Sequence, residues 1–159
     1  MTDAGAPADP TAVVRERLPA EHGPLLDAVG TCADAVARRW SADDAGDARP
    51  TVDGPTTADR DAVVPALRDA LAAAGALDAL PGLLATGADA LDAALPADPV
   101  AAPPYLVVTA TGPVVRATLP DAGRLVVSVR VFEVDRSAAA PRYRRLGAPV
   151  RETLAVELR

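Results

Sequence analysis

Four residue types are missing from the chain: lysine, asparagine, glutamine and isoleucine. Cysteine, histidine, tryptophan, phenylalanine and methionine each occur once in 159 residues. Without lysine there is no Schiff-base nucleophile, no pyridoxal phosphate anchor and no P-loop lysine. One cysteine and one histidine furnish neither a structural zinc site nor a disulfide framework. Aromatic residues make up only 3% of the chain, although half of it is apolar. The core must therefore be assembled from leucine, valine and alanine, through many small contacts. No window of about 18 residues is free of charge, which excludes a simple transmembrane helix. The richest apolar stretch, Ala70 to Leu95, is interrupted by Asp78, Pro81, Asp89 and Asp92. The first residues, Met1-Thr2-Asp3-Ala4-Gly5-Ala6-Pro7, have neither the basic nor the apolar region of a secretory leader. The expectation is a soluble, cytoplasmic protein with no membrane partner, and the lone Cys32 suits a reducing compartment. No G-x-G-x-x-G, H-E-x-x-H, G-x-S-x-G or paired-cysteine motif occurs, and no repeat of 20–50 residues is visible.

What is present changes character near residue 100. Residues 1–9 read as a disordered tail. Asp9-Pro10 is a helix start, with Asp as cap and Pro in the first helical position. A short helix over 10–18 should stop at Pro19, and Gly23-Pro24 should open a second over 24–40. In that second helix Leu25, Val29, Cys32, Val36 and Trp40 form one stripe. Residues 41–57 hold four aspartates, two glycines and two prolines and read as a mobile acidic loop. A third helix, capped by Thr56 or Thr57, carries Val63, Val64, Leu67 and Leu71. Pro65 should kink it and Gly75 should close it. A fourth helical pattern runs over 77–95. Beyond the proline-rich connector 96–104, the apolar period becomes two. Strands are predicted over 105–111, 114–119, 124–134 and 152–158, with turns at 111–113 and 120–123 and a short piece around Tyr143. Short turns with no helix between strands mean antiparallel pairing. The predicted fold is α+β: helices of 10–95 packed on one face of a three- to four-stranded antiparallel meander in 104–159. Residues 10–159 are then a single domain.

The net charge of −6 conceals a division. Residues 1–100 carry seven arginines against 17 acids, a balance of −10, whereas residues 101–159 carry nine arginines against five acids, a balance of +4. One reading is an anion-binding sheet, because arginine binds carboxylate and phosphate through a bidentate fork. The candidate binding residues are Tyr105, Arg116, Arg130, Arg142, Tyr143, Arg144 and Arg145. Within 142–145 the tyrosine ring lies between guanidiniums, a pattern suited to a nucleobase. The other reading is internal: basic strands attract acidic helices, and solvated arginines protect the sheet. His22, at a helix break, reads as an exposed loop residue, Cys32 as a buried thiol and Trp40 as the anchor of its helix end. Asp43, Asp44, Asp47 and Asp53 lack the ligand order of a calcium loop and read as a solvated acidic segment. No catalytic constellation, metal site or cofactor site is predicted.

Complete replacement of lysine by arginine, with 17 Asp against five Glu, resembles the composition of haloarchaeal proteins, GC-rich actinobacteria being the alternative. The segments 102–109, 112–118 and 123–127 are similar to a group of small haloarchaeal proteins known as a domain of unknown function. That resemblance spans residues 57–159 and implies no activity. The sequence thus points to a non-enzymatic binding or protein-interaction module. Nucleic-acid or other anion binding through the arginine-rich half is the alternative, and an Asp/Glu-Arg enzyme has little support.

Overall fold

The computed structural model describes residues 9–43, 56–137 and 140–159. Most of the expected tail 1–9 and of the acidic loop 41–57, with Asp44, Asp47 and Asp53, lies outside them.

Helix α1 spans Pro10–Asp43. Asp9 caps it as expected: its carboxylate accepts bonds from the Thr11 amide (3.1 Å) and hydroxyl (2.8 Å), which hold the Asp9 carboxyl below its ordinary pKa. The expected stop at Pro19 does not occur. The helix instead bends at His22 (φ −122°, ψ 27°) and continues. A proline inside a helix displaces the carbonyl four residues earlier, and for Pro24 that disturbance falls across 20–24. His22 is therefore part of a kink rather than an exposed loop. It is half-buried, and its Nε2 lies 2.6 Å from the Thr86 hydroxyl.

Thr56–Thr57, expected as a helix cap, form strand β1. The capping passes to Asp59, whose carboxylate accepts from the Asp61 amide (3.0 Å) at a 3-10 turn over Arg60–Ala62. Helix α2, Val64–Ala73, then begins with Pro65 in its first turn, where proline is tolerated, so no kink arises. Gly75, at φ 75°, ends this helix as expected. The expected helix over 77–95 is divided into α3, Ala76–Ala79, and α4, Gly82–Ala90. Among the described residues no single helix is long and apolar enough to cross a membrane.

The second half supplies β2 (Leu106–Thr109), β3 (Gly112–Leu119), β4 (Gly123–Val129), β5 (Phe132–Asp135), β6 (Arg142–Arg145) and β7 (Leu154–Leu158). All pairing is antiparallel, and the fold is α+β as the sequence predicts. The strands form two sheets rather than one run: a four-stranded sheet in the order β2-β3-β4-β7 and a three-stranded sheet in the order β1-β6-β5. The division arises where the sequence predicts one strand over 124–134. The amides of Val131 and Phe132 both donate to the Thr111 carbonyl (2.8 and 3.1 Å), the bonding pattern of a β-bulge. One extra residue reverses the side-chain parity. Leu125, Val127, Val129 and Val131 are buried, and so is Phe132 directly after them. The chain leaves one sheet and enters the other at this point.

The helices cover the inner face of the larger sheet. Val115, Ala117, Leu119, Leu125, Val127, Val129, Leu154 and Val156 meet Val14, Leu18, Leu26, Leu67, Leu71, Leu80, Leu83 and Leu84 in one buried cluster. Packing at α4 is close: a Cβ on Gly87 would lie 2.6 Å from Leu125 Cδ2. Trp40 anchors the end of α1 as expected. Its indole nitrogen donates to the Ala62 carbonyl (2.8 Å), and its ring lies 5.0 Å from that of Phe132. Cys32 is buried on the α1 stripe.

Candidate functional site

Strand register places the arginines in two unlike settings. In the four-stranded sheet the residues that alternate with the buried set face away from the helices. One cross-strand row holds Tyr105, Arg116, Val126 and Glu157, since the Arg116 amide donates to the Tyr105 carbonyl, Arg116 pairs with Val126, and Val126 pairs with Glu157. The next row holds Thr118, Arg124 and Arg159. Arg116 and Arg124 are therefore diagonal neighbours on one face, a separation of about 7–8 Å in a β-sheet. The turn at 120–123 sets this register. Pro120 precedes Asp121 at φ 64°, and the Ala122 amide returns to the Leu119 carbonyl (3.2 Å), as in a type II turn.

These two arginines border an open cleft of about 290 Å³ lined by Pro96, Pro104, Tyr105, Arg116, Ala117, Thr118 and Arg124. Both guanidiniums are exposed. Arg116 is oriented by one bond, from its Nε to the Pro104 carbonyl (3.0 Å) in the cleft wall. Its two terminal nitrogens have no bonding partner among the described residues, and neither has the Arg124 guanidinium. No carboxylate lines the cleft. Nearby, Arg159 neutralises Glu157 with two bonds, 3.1 and 2.7 Å, to one carboxylate oxygen.

The arginines of 142–145 are placed otherwise. On β6, Arg142 donates to the Thr56 hydroxyl (3.0 Å) and Arg144 pairs with Glu133. Tyr143 lies half-buried between Thr57 and Val134. The side chain of Arg145 is only 17% exposed. It bonds the Asp34 carboxylate (3.0 Å) and the carbonyls of Val131 (3.1 Å), Leu146 (2.7 Å) and Gly30 (3.4 Å). Arg151 adds a second pair to α1, with Asp27 (3.3 Å). Asp27 and Asp34 are two helical turns apart, so α1 presents two acids to two arginines of the sheet half. This is the internal attraction between acidic helix and basic strand, realised at these residues.

Tyr105 and Arg116 thus share the cleft, whereas the 142–145 group lies on the other sheet. Arg130 is exposed but stands six residues along from Arg124, about 20 Å at strand rise, and does not line the cleft. The sequence reading missed Arg124, Thr118, Pro96 and Pro104. Arg124 was within reach, because a turn at 120–123 with Leu119 opposite Gly123 puts it across from Thr118. The prolines were not, because they reach the site from a connector without periodicity. Among the described residues no group of three His, Cys, Asp or Glu side chains is arranged to hold a metal ion.

Residues 12–159 match a family described as Domain of unknown function, DUF7988. The chain belongs to this family. No curated protein and no solved structure matches it. The family therefore brings no chemistry to the cleft, whose properties have to be argued from its own residues.

Proposed function

We propose that this member of the family is a non-enzymatic binding or protein-interaction module. Its contact surface is the outer face of the four-stranded sheet, centred on Tyr105, Arg116 and Arg124, with Arg130 at the margin. One observation carries the reading: two exposed arginines without internal carboxylate partners border a cleft that no acid lines, while Arg144, Arg145, Arg151 and Arg159 of the same half are paired with carboxylates. A solvated arginine costs nothing to leave unpaired, but two on adjacent strands with a ring and two prolines between open walls form a binding surface for an anionic group. Nucleic-acid binding through 142–145 is the weaker reading, because those arginines already have partners inside the chain. Residues 10–159 are read as one domain, since helices and both sheets contribute to one buried cluster. A haloarchaeal origin is supported by zero lysine and 17 Asp against five Glu, and a cytoplasmic location by the single cysteine, which suits a reducing compartment. At molar salt the Debye length is about 3 Å, so a partner would be held by direct contacts rather than by the diffuse field of the face.

Affinity capture from host lysate at host salt tests the reading. The wild type and Arg68→Glu, an exposed change on α2, should retain the same partner, and the double variant Arg116→Glu/Arg124→Glu should lose it. Equal retention by all three proteins overturns the contact surface.

A further inference from the structure

The cleft at the basic end of the outer face has a chemical selectivity that can be read from its lining. Its polar groups without a partner among the described residues are the terminal nitrogens of Arg116, the guanidinium of Arg124, and the hydroxyls of Thr118 and Tyr105. All can donate hydrogen bonds, and no carboxylate is present to neutralise the two cations. Two guanidiniums facing one cleft attract a dianion more strongly than a monoanion or a neutral ligand, because each can make a charge-assisted contact to the same head group. The rest of the lining is apolar: the rings of Pro96, Pro104 and Tyr105, over a strand floor at Ala117, whose side chain turns inward to the core. The volume, about 290 Å³, is at the lower end of small-ligand sites and suits one ring with its substituent. Arg116 is already aligned, because its Nε is held by the Pro104 carbonyl, which leaves its end-on pair of N–H groups for a forked contact.

We propose that this cleft binds a small phosphate monoester carried on a planar ring. The dianionic head spans Arg116 and Arg124 and accepts from Thr118, and the ring lies against Tyr105 and Pro104. This assignment rests on the reading of the outer face as the contact surface and names the ligand class of that surface.

Phenyl phosphate is the probe, titrated against the full chain near pH 7.5, where a phosphate monoester carries close to two charges. Calorimetry gives the affinity and amide chemical shifts give the location. Phenyl phosphate should shift the resonances of Tyr105, Arg116, Thr118 and Arg124. It should bind about tenfold more tightly than inorganic phosphate, which lacks the ring, and than phenylacetate, which lacks the second charge. Arg116→Gln and Arg124→Gln should each weaken it roughly ten- to hundredfold, and Arg68→Gln, an exposed change on α2, should leave it unchanged. Both glutamine changes in the cleft are at exposed positions, and circular dichroism checks that each variant is folded. Absence of binding at millimolar probe overturns the proposal. So does inorganic phosphate binding as tightly, phenylacetate binding as tightly, or an equal loss in Arg68→Gln. The two readings fail separately. If phenyl phosphate does not bind but partner capture still requires Arg116 and Arg124, only the ligand class falls. If phenyl phosphate binds and capture ignores both arginines, the partner surface falls and the ligand site stands.

Discussion

Arg145 shows how much one side chain contributes when four of its five donors are used. It ties the Gly30 carbonyl and the Asp34 carboxylate of α1 to the carbonyls of Val131 and Leu146, with little exposure to water. Removing it leaves carbonyls at the bulge without that partner. Arg145→Ala is expected to cost about 2–4 kcal/mol in urea unfolding, and Arg145→Lys should recover little, because a single ammonium cannot reproduce the fork. Cys32 is a second residue whose setting fixes its behaviour. Burial pushes its thiol pKa up, and its one polar contact among the described residues is a long one, 3.5 Å from sulfur to the Ala70 carbonyl. The native protein should react with a disulfide reagent at pH 8 far more slowly than the urea-unfolded chain; comparable rates would mean that the thiol is accessible. The sequence already placed Cys32 on the buried stripe of a helix. It could not place Arg145, whose four partners come from segments up to 115 residues away.

At the scale of elements, the decisive positions are those where the chain approaches itself closely. Gly112 opens β3 at φ 142°, and a Cβ there would stand 2.0 Å from the Val129 carbonyl oxygen. Neither the conformation nor the space admits a side chain. Gly112→Ala is expected to lower stability by about 2–4 kcal/mol in denaturant melts, through strain at the junction of β2, β3 and the bulge. Gly147→Ala is the control: nothing lies within 4 Å of a Cβ there, and the change should be within about 0.5 kcal/mol. Helix and strand interiors were legible because their apolar periods, 3.6 and 2, are local. Their ends were less so. Pro19 and Pro65 illustrate opposite departures: one lies inside a helix that bends three residues later, the other in the first turn of a helix. A proline alone does not say which, since the outcome depends on what the following segment packs against. The bulge at Val131 was hidden for the same reason. Apolar residues on both sides of 124–134 are compatible with one covered strand or with two strands of reversed parity, and only pairing with Thr111 and Leu146 selects the second.

At the scale of the whole molecule, Trp40 lies where α1, the 3-10 turn and the small sheet meet, with Phe132 as its neighbour. Its fluorescence therefore reports on both halves. If 10–159 unfolds as one unit, the fluorescence and far-ultraviolet circular dichroism transitions in urea should coincide; separated midpoints would divide the helical part from the sheets. Two exposed carboxylates contribute to the acid dependence of stability. Asp9 and Asp135 have folded pKa values lowered by bonds from Thr11 and Ser137. Their contributions are present above the unfolded pKa and disappear as pH falls through the folded one. Asp135→Ala should accordingly remove a small part of the acid dependence of stability, read as a shallower loss of unfolding midpoint below pH 5.

By itself the sequence determined the α+β class, the buried stripes, the cap at Asp9 and the division of charge between the halves, because each depends on neighbours within a few turns or on composition. It also confined the chemistry: with no lysine, one histidine and one cysteine, few catalytic constellations remain. Tertiary structure alone decided how the nine arginines of the sheet half are used. Strand pairing and the bulge carry Arg144 and Arg145 to Glu133 and Asp34, and the turn at 120–123 sets Arg124 beside Arg116 over an open cleft. Whether a charge is paired or exposed depends on partners distant in sequence, and only the register of strands brings those partners within bonding distance.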